Sequence, residues 1–243
     1  MKKGQLTIFI IIAIILISII FIIFYIRKEQ SSKLEKEINL INNYINFCLE
    51  KKSENIIIEI AKNGGYYKFE KNYINFLNEN GVFYLKENNS YVPNKTFVEN
   101  QINLWLNDEF DECLKIENKN IIKKYCNIKT ELNNITKINF DCDINFFINE
   151  KIYRLKKFEV NLNISLIPFI NASKEIVDIY NNTIPGYICI ECLNEIGEKY
   201  NLNITVIPIT KEIYELEHVW FLLNSSQKIN NKFLIWRFVT EIK

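Results

Sequence analysis

One stretch constrains this chain more than any other. Leu6 to Ile26 holds 21 residues without a single charge. At about 1.5 Å of rise per residue, a helix of that length spans roughly 32 Å, enough for a hydrocarbon core of about 30 Å. A helix satisfies its own backbone hydrogen bonds, so such a segment is self-sufficient in lipid. A buried strand is far shorter. A cleaved secretory signal needs small residues at its cleavage site, and Tyr25-Ile26-Arg27 is bulky. The expectation is a single-pass transmembrane helix in a cell membrane, with the lipid bilayer as its partner through Leu6–Ile26.

Sidedness rests on three signals. Lys2 and Lys3 precede the run, and Arg27, Lys28, Lys33 and Lys36 follow it, which by basic residues alone leans the large domain inward. Eight N-x-S/T sequons, at Asn88, Asn94, Asn134, Asn163, Asn171, Asn181, Asn203 and Asn224, lean it outward as glycosylation candidates. With 35 asparagines but few Ser or Thr, chance accounts for roughly two or three such motifs. All six cysteines, Cys48, Cys113, Cys126, Cys142, Cys189 and Cys192, lie beyond the apolar run. An even count on one side fits three disulfides in an oxidising space, and sequence leaves the pairing open. The large C-terminal part is therefore expected to be extracytoplasmic.

The rest of the chain reads as one domain. Leu34, Ile38, Ile41, Ile45 and Cys48 fall at 4-3-4-3 spacing, one apolar stripe on a helix that continues from the membrane to about Asn63. Gly64-Gly65 ends it, since glycine accepts the left-handed exit conformation. Tyr66–Phe69 and Val82–Leu85 read as a hairpin around Asn80-Gly81. Thr96-x-x-Glu99 reads as a capping box opening a helix to Ile116. Alternation over 138–148 and 158–166 predicts two half-buried strands, paired antiparallel with 151–155 near the turn. A helix is expected near Lys174–Tyr180, and another from Pro185 through Cys192 to Tyr200. Leu202–Ile207 is a further strand, and Val219–Leu223 with Phe233–Val239 a closing hairpin. Mixed elements without regular βαβ order give an α+β class with an antiparallel sheet and packed helices. The divisions are 1–27, tail and transmembrane helix; 28–65, juxtamembrane helix; and 66–243, an exported α+β domain.

The opening Lys2-Lys3-Gly4-Gln5-Leu6-Thr7, followed by an Ile-rich run, resembles archaeal class III, prepilin-type signal sequences. That resemblance implies cleavage after Gly4, leaving Gln5 as the new terminus. Phe9 stands where many type IV pilins carry a glutamate. The pieces KKGQLTIFIII, Tyr44–Glu50, Gly64-Gly65-Tyr66 and Gln101-Ile102 through Cys113-Leu114 look closer to a family of single-pass membrane proteins of nanoarchaeal and woesearchaeal archaea. This resemblance covers the first half of the chain and implies a location and a build, but no reaction.

Few groups suggest chemistry. Lys and Arg number 30 against 29 Asp and Glu, a balance that offers no electrostatic grip on nucleic acid. Cys189-Ile190-Glu191-Cys192 is a lone C-x-x-C, able to exchange disulfides at a helix start or simply to form a structural bridge. A closed zinc site would need further ligands, so no metal or cofactor is expected. His218, the one histidine, lacks a G-x-S-x-G partner motif. Asp108, Glu109, Asp111 and Glu112 read as a solvated helix face without EF-hand spacing. Trp105, Trp220 and Trp236 read as core residues, with some aromatics free to line a partner surface. The combined expectation is a membrane-anchored cell-surface glycoprotein with a non-enzymatic structural or contact role. The alternatives are a membrane-tethered thiol–disulfide oxidoreductase using Cys189 and Cys192, and a pilin-like filament subunit.

Overall fold

Helix α1 runs unbroken over Lys3–Lys62 because no proline or glycine interrupts it after Gly4. The computed structural model describes residues 3–69, 72–76, 79–117, 119–148, 151–182, 187–212, 215–229 and 231–241. Side chains are described throughout these ranges except at 3–13, 26, 27, 29–32, 76, 210–212 and 215–217.

The two ends of α1 differ. Ile41, Ile45, Leu49, Ser53, Ile56, Ile57, Ile60 and Ala61 are buried, with Leu34, Ile38 and Cys48 packed against the same core. This continues the stripe at 34, 38, 41, 45 and 48. Ile14 to Tyr25, in contrast, are exposed. Among the described residues no helix is long and apolar enough to cross a membrane. That finding corrects the expected transmembrane span over Leu6–Ile26. With it fall the lipid bilayer as partner, the single-pass cell-membrane location, the extracytoplasmic placement, and the anchored and filament readings built on it. The side chains of Leu6–Ala13 and Ile26, and those of the processing candidates Gly4 and Gln5, lie outside the described set.

The turn after α1 uses both glycines in the left-handed region, Gly64 at φ 60° and Gly65 at φ 84°. A Cβ on Gly64 would lie 2.4 Å from the Arg237 carbonyl oxygen, so only glycine fits. Tyr84 Oη donates to the Gly64 carbonyl at 2.6 Å, and Arg237 Nε donates to the Lys62 carbonyl at 2.8 Å.

Strands β1 (Tyr73–Phe76), β2 (Glu79–Lys86) and β3 (Asn89–Ser90) follow. The hairpin arm is thus Tyr73–Phe76 rather than Tyr66–Phe69, and Asn80-Gly81 lies inside β2 instead of in a turn. Gly81 is there for close approach: a Cβ would meet Val239 at 2.7 Å and Trp220 at 2.8 Å. Helix α2 (Lys95–Glu109) passes into a 3-10 turn at Phe110–Leu114. Its N-cap is Asn94, whose side chain accepts from Phe97 N–H at 2.8 Å. The expected capping box at Thr96 and Glu99 does not form, because Glu99 instead accepts from Leu132 N–H at 2.8 Å.

Strands β4 (Ile121–Leu132), β5 (Thr136–Ile148) and β6 (Lys151–Leu162) make an antiparallel three-stranded sheet in that order. The β5–β6 alternation was legible; β4 was not, because no residue of its outer half is buried and its buried residues concentrate at Ile128, Thr130 and Leu132. Helix α3 (Ile167–Asn182) buries Phe169, Ala172, Ser173, Ile176 and Tyr180 on one stripe. Helix α4 (Ile190–Tyr200) starts after Cys189; Pro185, the expected start, lies outside the described residues. Strands β7 (Leu202–Glu212), β8 (Glu215–Ile229) and β9 (Lys232–Glu241) complete the chain.

The larger sheet runs β1-β2-β9-β8-β7, with β3 on β2. Its β2–β9 pairing is parallel, so this sheet is mixed rather than antiparallel. The hairpin links β7–β8 and β8–β9 are short and antiparallel, whereas β2 and β9 are joined through the rest of the chain and are free to run the same way. The fold is α+β, with helices packed on an antiparallel sheet and on this mixed one. One core joins α1, both sheets and α3 around the fully buried Trp236, Tyr84, Phe140, Phe221 and Phe238.

Ile45 sits in the seam with no exposure. Ile45→Ala should therefore cost about 2–5 kcal/mol of unfolding free energy in urea titration, while Leu40→Ala, on the exposed face, should stay within about 0.5 kcal/mol.

Candidate functional site

Locked glycines set the site. Directly after the Gly64-Gly65 turn the chain presents Tyr66, Tyr67 and Lys68 against α2. On α2, Phe97, Gln101, Leu104 and Asp108 recur on the face opposite the buried Val98, Ile102 and Leu106. Together these seven residues line a cleft of about 540 Å³. That volume lies in the ordinary range of ligand sites.

The walls are aromatic and held. Tyr67 stacks on Trp105 with ring centroids 4.7 Å apart, and Tyr66 tilts against Phe97 at 4.9 Å. Tyr67 N–H donates to Gln101 Oε1 at 2.9 Å, and Tyr66 Oη donates to the Tyr91 carbonyl at 2.9 Å. At the rim, Tyr67 Oη and Lys68 Nζ both donate to Asp108 Oδ2, at 2.9 and 3.3 Å. These contacts hold the Asp108 carboxyl below its ordinary range, the Tyr67 hydroxyl first and Lys68 second. Leu104, 55% exposed, is left as an apolar side chain facing solvent at the cleft. The cleft offers aromatic faces, one apolar anchor, and one charge of each sign.

The other three carboxylates of the acidic cluster tie elements together. Glu109 accepts from Lys52 Nζ at 2.9 Å and from Trp105 Nε1 at 2.8 Å. Glu112 also pairs with Lys52, and Asp111 pairs with Lys123 at 2.6 Å. Lys52 thereby pins α1 to the end of α2, beside the Cys48–Cys113 bond. Hydrogen bonds from Lys52 hold the Glu112 carboxyl below its usual range, and Glu112 and then Glu109 raise the Lys52 ammonium.

All six cysteines are bonded: Cys48–Cys113, Cys126–Cys142 and Cys189–Cys192. The first ties α1 to the 3-10 turn, and the second joins register partners of β4 and β5. Sequence separations of 65, 16 and 3 residues correspond, in the chain-entropy treatment, to roughly 4, 3 and 2 kcal/mol. His218 is half-buried on β8, in a T-shaped contact with Phe83 at 5.1 Å between ring centroids. Among the described residues, no cluster of three His, Cys, Asp or Glu could hold a metal ion.

The sequon asparagines scatter over the surface. Asn88, Asn94, Asn134, Asn163, Asn171, Asn181 and Asn203 are exposed, and Asn224 is half-buried. Several of their hydroxyl partners serve the core. Thr136 Oγ1 is buried and donates to the Ile164 carbonyl at 2.9 Å, and Ser173 is fully buried on α3. Asn203 and Asn224 face each other across β7 and β8 and line a second cavity of about 620 Å³ with Asn201, Ser226 and Phe233.

Sequence reasoning treated Asp108 as part of a solvated face and did not assemble the cleft. A signal existed: Phe97, Gln101, Leu104 and Asp108 share one helical face, and Tyr66-Tyr67-Lys68 follows a glycine turn. What could not be read was that the turn folds back onto that face.

No family model, curated protein or solved structure matches the chain. The resemblance to single-pass membrane proteins of nanoarchaeal and woesearchaeal archaea, with a prepilin-like start, is corrected by that result and by the lack of a crossing helix among the described residues.

The depressed carboxyls of Asp108 and Glu112 set a pH dependence. Their pairs contribute fully above the unfolded carboxylate range and are lost as pH falls through the lower folded values. Stability in urea should decline on acidification below about pH 5, and Asp108→Asn with Glu112→Gln should flatten that decline. An identical slope in the double variant would show that these pairs carry none of it.

Proposed function

We propose that the cleft between Tyr66–Lys68 and α2 recognises a short polypeptide segment without covalent chemistry. The observation that supports this reading is Leu104, exposed at the mouth of a cleft whose other walls are fixed by stacking and hydrogen bonds. A rigid aromatic wall beside an exposed aliphatic anchor is the surface that an apolar side chain of a peptide covers, at little conformational cost to the receptor. One lysine and one aspartate at the rim orient a polar backbone without selecting a polyanion. The carboxylates that could have served acid–base chemistry are engaged by lysines instead.

Selection of a random peptide display library on the purified chain tests this. Enriched peptides should carry an aromatic or aliphatic anchor and lose at least about tenfold in affinity on Leu104→Glu, since charge at a buried hot spot costs more than about 1.4 kcal/mol. Failure to enrich any sequence, or binding unchanged by Leu104→Glu, would contradict the reading.

A further inference from the structure

The three disulfides do not have equal standing in the fold. Cys113 and Cys142 are fully buried, so each of their bonds has one sulfur-bearing residue sealed in the core. Neither Cys189 nor Cys192 is buried. Their bond links no two elements: it closes a three-residue separation at the first turn of α4. Cys189 is the N-cap of that helix, and its Sγ accepts the Cys192 N–H at 3.2 Å. Tyr187 and Ile190, beside the bond, are 58% and 56% exposed.

We propose that Cys189–Cys192 is an exchange site for dithiols, opened and reclosed without unfolding, while Cys48–Cys113 and Cys126–Cys142 stay bonded. Exposure decides access, and the helix start decides which sulfur leaves. A thiolate of an incoming dithiol attacks Cys192 Sγ. The bond's electron pair goes to Cys189 Sγ, which departs as a thiolate facing the positive end of the α4 dipole and the Cys192 N–H. The second thiol of the dithiol then loses its proton and attacks the partner sulfur of the mixed disulfide, closing the dithiol into its own disulfide and expelling Cys192 as a thiolate. Both cysteine sulfurs take protons from solvent, matching the two that the dithiol lost. The protein gains two electrons and the dithiol loses two. Opening removes no tie between elements, because α4 lies against α3 and β7 with Leu193 and Ile196 buried in the core. The exposed Tyr187 and Ile190 give a polypeptide dithiol an apolar surface to rest on.

The full chain, incubated with graded dithiothreitol, trapped with N-ethylmaleimide and mapped by mass spectrometry, tests the proposal. A species alkylated only at Cys189 and Cys192 should accumulate at reductant levels at least about tenfold below those that open the other two bonds, with circular dichroism unchanged. In the same partly reduced chain, taken before N-ethylmaleimide is added, limiting iodoacetamide at neutral pH should modify Cys189 faster than Cys192. Simultaneous opening of all three bonds, earlier opening of either other bond, or Cys189 reacting no faster than Cys192 would overturn it.

Discussion

The structure depends on the burial of one helical stripe. From Ile41 to Ala61, α1 lies in the seam between the two sheets and α2, and its side chains complete the core that neither sheet closes by itself. Each fully buried aliphatic side chain contributes about 1.5–3 kcal/mol of transfer free energy, far more than any exposed ion pair nearby. Cys48–Cys113 and the Lys52 pairs fix the register of that helix against α2; packing supplies the driving force. The Gly64-Gly65 turn then reverses the chain where Arg237 and Tyr84 hold it, and the cleft exists because that reversal lays Tyr66–Lys68 on α2.

The parts legible in the sequence are those with strong local periodicity. The α1 stripe, the β5–β6 pair and the closing β8–β9 hairpin each announce their period over many residues, and they set the α+β class. Long-range facts were invisible. Nothing local says that β2 runs parallel to β9, or that Glu99 leaves its own helix start to bond Leu132. Asn80-Gly81 carried a turn signature for a different reason, the need to let Trp220 and Val239 approach. The apolar run near the start illustrates the opposite hazard. Its 21 uncharged residues read as a span, whereas among the described residues no helix is long and apolar enough to cross a membrane.

The candidate site was legible in pieces and not as a whole. Gly64-Gly65 read as a helix end, Tyr66–Phe69 as an apolar run and Asp108 as part of a solvated helix face, but the folding of Tyr66–Lys68 onto α2 is tertiary. The acidic cluster shows why residue type is a weak guide: four clustered carboxylates read as a solvated helix face, yet each faces a lysine. Two sequon hydroxyl residues also serve the fold: Thr136 donates to the Ile164 carbonyl, and Ser173 is fully buried on α3.

Hydrogen exchange resolved by peptide tests the central role of α1 most directly. Amides of residues 41–62 should exchange only through global unfolding, at the same free energy as those of β8 and β9. Exchange of 41–62 on the timescale of seconds, with the strands still protected, would show a helix merely resting on a core that closes without it.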